Sequence, residues 1–158
     1  MSASHAVAAA FLAIACAAGS PSGGGQAGTS LAFEPIVDES ASGLNEPLRE
    51  VVRDEARWAR LWEQVYAGVT PRPPRPPVDF SRQMLIAVAA GTRPTGGFDV
   101  AVRAVTARGN ALEVEVFESC PPPGAMVSTA LTQPVTVVRL DALALAPAFR
   151  ETKETSCR

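Results

Sequence analysis

The chain has 158 residues, 47% of them hydrophobic, with 14 Lys and Arg against 16 Asp and Glu for a formal net charge of −2. That length holds one domain with a single modest core. The near-neutral balance carries no basic footprint for nucleic acid, so nucleic-acid partners are not expected.

Ala6 to Ala15 is an apolar run too short to cross a bilayer, ending in small residues before Cys16, and residues 1–15 read as a signal peptide. Ala13-Ile14-Ala15-Cys16 resembles the bacterial lipobox. The resemblance implies cleavage before Cys16, lipidation of its thiol and amine, and a lipoprotein held at the cell envelope, because several acyl chains anchor stably where one does not. Ala13-Ile14-Ala15 also fits the small-x-small rule of ordinary signal peptidase, which would release the chain as a secreted or periplasmic protein. Residues 16–30 are nearly all Gly, Ala, Ser, Pro and Thr, a composition that buries too little to fold, and they read as a flexible tether before a domain over 31–158.

Within that domain, Leu31 to Val37 is an edge strand or irregular lead-in, and Asp38 to Pro47 reads as loop. Leu48 to Arg53 is a short strand. Asp54 then caps a helix from Glu55 to about Tyr66, with its carboxylate on the free amides of the first turn. Trp58, Leu61, Trp62 and Val65 share the core face at three-and-four spacing, while Arg57, Arg60, Glu63 and Gln64 turn to solvent. Thr70 to Pro77 holds five prolines and reads as a stiff exposed connection, since proline removes donors and enforces extended backbone. From Asp79 onward the pattern predicts antiparallel strands at Gln83–Ala90, Phe98–Val105, Ala111–Ser119, Val127–Leu131 and Val135–Leu140, mostly joined by hairpins, with a further edge strand through Ala148 to Glu151. The first is a continuous apolar run, as for a buried strand. Glu113 and Glu115 alternate with Leu112, Val114 and Val116 and read as solvated charges on an open face, not as a catalytic pair.

Between the first two of these strands lies Gly91-Thr92-Arg93-Pro94-Thr95-Gly96-Gly97-Phe98, which reads as a specialised hairpin: Pro94 fixes one φ, and Gly96 and Gly97 permit positive φ. This turn, with Asp79-Phe80-Ser81-Arg82-Gln83-Met84 before it, resembles the C-terminal domain family of the protease-complex subunit PrcB. The Trp-x-x-Leu-Trp pattern from Trp58 to Trp62 and the segment Ala130-Leu131-Thr132-Gln133-Pro134 with Val135 to Leu140 are similar to that family in the same order, so the likeness spans roughly residues 48–140. It implies an accessory role: association with an exported protease, or another envelope protein, and stabilisation of its complex. On that reading Arg93, Pro94, Thr95, Gly96, Gly97 and Phe98 form a preorganised binding shelf, with Phe98 supplying apolar contact and Arg93 a forked donor. The same loop bears a looser likeness to the Asn-Pro-Thr-Thr-Gly-Tyr loop of chagasin-type cysteine-protease inhibitors, which would imply inhibition; the other two loops of that family have no clear equivalent.

Once Cys16 is assigned to lipid, Cys120 and Cys157 remain, and in an exported chain an even pair of thiols is expected to form a disulfide. A metal site lacks ligands, because there is no Cys-x-x-Cys and the only histidine, His5, lies in the segment expected to be removed. Loss of His5 also takes away the proton carrier of His-dependent hydrolases, and no phosphate loop or dinucleotide fingerprint is present, so neither an enzyme nor a cofactor is expected. The architecture these elements predict is α+β, a curled or sandwich-like antiparallel sheet with one amphipathic helix packed on it. Its expected use is as a protein-binding module, or alternatively as a structural envelope lipoprotein without a protease partner.

Overall fold

The computed structural model of the protein describes residues 27–154 and 157. The expected signal peptide and the lipidation site Cys16 lie outside these residues. The elements in chain order are β1 (Thr29–Ser30), β2 (Glu34–Glu39), β3 (Leu48–Val52), α1 (Glu55–Val65), β4 (Gln83–Ala89), β5 (Asp99–Arg108), β6 (Ala111–Ser119), β7 (Val135–Asp141) and β8 (Ala146–Lys153). Thr29 and Ser30, expected in the tether, pair with β5, and β2 runs on through Asp38 and Glu39, which were expected to be loop.

Two four-stranded sheets stack, one ordered β1-β5-β6-β8 and the other β2-β7-β4-β3. The alternation of each strand decides what faces what. Met84, Ile86 and Val88 of β4 meet Val100, Leu112, Val114 and Val116 of the opposite sheet, while Leu85, Ala87 and Ala89 meet Trp58, Leu61, Trp62 and Val65 of α1. The second sheet is therefore the middle layer of three, and both faces of β4 are covered. That is why its sequence is apolar at consecutive positions instead of alternating. Each of Leu61, Leu85 and Ile86 is wholly buried, a contribution of about 1.5–3 kcal/mol apiece.

The helix starts where Asp54 accepts the Arg57 amide at 2.8 Å. Its tryptophans bury their rings and still place their indole donors: Trp58 Nε1 donates to Pro76 O at 3.2 Å and Trp62 Nε1 to Pro73 O at 3.1 Å. The proline-rich connection is thus strapped along the helix, since an extended proline run leaves its carbonyls free to accept. Arg57 does not simply face water. It grips Glu50 of β3 through two hydrogen bonds of 2.6 Å, fixing helix to sheet, and that bond holds the guanidinium above its ordinary pKa.

Three topological expectations fail. β4 and β5 are not a hairpin: β4 pairs with β3 and β7, β5 with β1 and β6, and residues 91–98 cross from one sheet to the other. β8 does form, but parallel to β6, because Ala142 to Leu145 also crosses between sheets and no tight turn constrains the direction. Residues 127–131 form no strand. The hairpin between β5 and β6 through Gly109 and Asn110 is as expected. The edge strand β8 is blunted by Pro147 and by charges on its inner face, where Glu151 bonds Arg49 across the sandwich.

Candidate functional site

At one end of the sandwich the crossover turn at 91–98 locks onto the loop at 120–134. Arg93 and Thr132 exchange backbone hydrogen bonds of 2.7 and 3.1 Å. Gly96 N donates to Ser128 O at 3.0 Å, and Thr132 Oγ1 donates to Thr95 O at 2.8 Å. The two glycines serve different needs. Gly97 has φ +83°, and a Cβ there would lie 3.0 Å from Pro121 Cβ, whereas Gly96 needs only the space that Ser128 Oγ would contest at 2.7 Å. Positive φ, expected to be available at both, is used at Gly97 alone of the pair. Among the residues this end presents to solvent are Pro94 and Gly97, with Met126 and Leu131 as exposed large apolar side chains on the partner loop.

Behind the loops lies an ionic cluster that sequence reading did not assemble. Glu118, only 8% exposed, continues the inner face of β6 after Leu112, Val114 and Val116. Its carboxylate accepts from Arg49 at 3.1 Å and Arg93 at 3.0 Å, and Lys153 approaches to 3.4 Å. Arg49 also binds Glu151 at 2.9 Å and the Ala89 carbonyl at 2.6 Å. One donor of Arg93, Nη2, is committed to Glu118, as a buried carboxylate requires compensation. The signal for Glu118 was present in the alternation of Ala111 to Ser119, whose fourth inward position is a glutamate. Arg49 falls likewise on the inward face of β3 with Val51.

Arg93, Pro94, Phe98, Glu118, Pro121 and Lys153 line an open pocket of about 400 Å³. The Cys120–Cys157 disulfide, with Cα atoms 5.5 Å apart, closes its floor and returns the chain after β8 to the end of β6. The structure thus brings Arg93, Pro94, Phe98, Cys120 and Cys157 together, while Thr95, Gly96 and Gly97 serve the contact between loops. Among the described residues no group of three or more His, Cys, Asp or Glu side chains is disposed to hold a metal ion. No helix among them is long and apolar enough to cross a membrane.

Two interlocked loops at one end of a packed two-sheet framework define a domain of the loop-presenting β-sandwich class with an added helix. Residues 84–141 match the family model described as PrcB C-terminal, so this segment of the chain is similar to the PrcB C-terminal domain family. The match runs from β4 through β7 and includes both loops; the Trp58–Trp62 helix and residues 79–83 lie outside it. No curated protein and no solved structure matches the chain.

Proposed function

We propose that the protein is a non-catalytic cell-envelope module that binds an exported protease and stabilises its complex, held at the membrane by lipid on Cys16. The observation that carries this reading is the family match over 84–141, because that segment builds the paired loops at the exposed end of the domain. The loops are held to each other by backbone hydrogen bonds, so docking costs them little conformational entropy. Met126 and Leu131 offer apolar contact beside them.

The test is capture of the full-length chain from detergent-solubilised membranes, with mass spectrometry of its partners and of its N-terminal peptide. Enrichment of an exported protease by the wild-type chain, and its loss in a Met126→Ser/Leu131→Ser variant that melts normally, is the expected result. Equal recovery of the protease by both chains would remove the loops as the contact. An acylated N-terminal peptide beginning at Cys16 is expected, and an unmodified one would remove the anchor.

A further inference from the structure

The pocket beside the turn joins two features that have no structural need of each other. One is charge. Among the described residues Arg49, Arg93 and Lys153 share only the two carboxylates of Glu118 and Glu151, so these five side chains carry one positive charge in excess. Two of those cations line the pocket, and both reach solvent there, with side chains 25% exposed at Arg93 and 55% at Lys153. The other feature is the apolar wall that Phe98, Pro94 and Pro121 give the same pocket. The volume of about 400 Å³ lies near the lower end of the range that encloses small ligands, ~300–1,000 Å³. A folded element does not fit such a space, but a chain end does.

We infer that this pocket binds the free C-terminal carboxylate of a partner polypeptide whose last side chain is apolar. A C-terminal residue carries its carboxylate and its side chain on one Cα, which matches cations and apolar side chains lining a single small pocket. The carboxylate takes the solvent side of Arg93 and Lys153, bringing a third anion to three cations. The planar guanidinium, with donors beyond the one given to Glu118, supplies direction. The last side chain covers Phe98. An internal Asp or Glu holds its carboxylate away from any apolar group of its own and leaves that wall bare. The inference rests on the reading of the domain as a protein-binding module and names what part of the partner it takes.

The experiment offers the full-length chain two random hexapeptide libraries, one with free C-termini and one amidated, followed by titration of the best sequences. The expected result is enrichment from the free-acid library alone, with an apolar last residue. Amidation of a selected peptide should weaken it at least ~10-fold, the loss expected when a charge-assisted hydrogen bond is removed. Moving its carboxylate to an internal Asp should weaken it similarly. Arg93→Gln should weaken binding by about the same factor and Lys153→Gln by about threefold, the smaller value reflecting its greater exposure. Lys153 lies on an edge strand, so that variant remains informative if Arg93→Gln melts early. Enrichment of neither library, equal binding of the amidated peptide, or binding of N-acetylleucine as tight as that of the best hexapeptide would overturn the assignment. Protease capture that persists while neither library is enriched would sink the pocket and leave the binding-module reading standing.

Discussion

Arg93 and Glu118 meet at 3.0 Å across the end of the sandwich, 25 residues apart in the chain. One belongs to the crossover turn and the other closes the inner face of β6, so the pair ties the loops to the core from within. With Arg49 on the second oxygen of Glu118, the same carboxylate also joins the two sheets.

Removing that carboxylate leaves two arginines facing one another at the edge of a low-dielectric interior. Glu118→Gln is expected to lower stability by about 2–4 kcal/mol, below the upper end for buried pairs because the pocket admits water. Urea denaturation would measure it, and a double-mutant cycle with Arg93→Gln should return a coupling of at least ~1 kcal/mol. Additive single-mutant effects would show that the pair is not an energetic unit.

The two turn glycines should respond differently. Gly97→Ala meets both a positive φ and a close approach to Pro121 and Val127, and should cost about 1–3 kcal/mol. Gly96→Ala meets only the hydroxyl of Ser128, which can rotate aside, and should cost less than about 1 kcal/mol. Melting temperatures of the two variants decide this, and equal shifts would contradict it.

The disulfide closes a loop between positions 37 apart in the chain, for which the chain-entropy model gives about 4 kcal/mol. Cys120→Ser/Cys157→Ser should therefore melt well below the native protein, with reduction by dithiothreitol producing the same shift in the native chain and none in the variant. Because the bond floors the pocket, peptide binding should weaken in parallel.

Tyr66 has its hydroxyl on Glu39 at 3.0 Å, and burial, with that hydrogen bond and the Glu39 charge, pushes its pKa from the ordinary 10 up to about 12. A folded phenol that keeps its proton when the unfolded one has lost it contributes stability in full below pH 10, and the contribution fades as pH rises toward 12. The wild-type chain should lose stability relative to Tyr66→Phe across that interval. Denaturation midpoints at pH 9 and pH 11.5 measure the difference, and parallel changes in the two proteins would contradict the raised pKa of the buried phenol.

Much of the local structure was legible in the residues. The four apolar side chains of α1 recur at helical spacing, Asp54 stands at its N-terminus, and Leu112 to Val116 alternates, so periodicity reports directly which face of each element is buried. The strap of prolines on the helix was not legible, because nothing local says that the carbonyls of Pro73 and Pro76 will lie over two indole donors. Glu118 was half legible: its inward position follows from the alternation, but not the three cations that make that position tolerable.

The amino-acid sequence by itself determined α1, the strands β3 to β7 and which face of each is buried, since these depend on side-chain type and short-range spacing. Only the tertiary structure decided that β4 and β5 lie in different sheets, that β8 runs parallel to β6, and that Arg49, Arg93 and Lys153 converge on Glu118. The reason is physical. A strand's pattern specifies that a face must be covered but not which strand or helix covers it, and that choice is made by packing the whole chain at once.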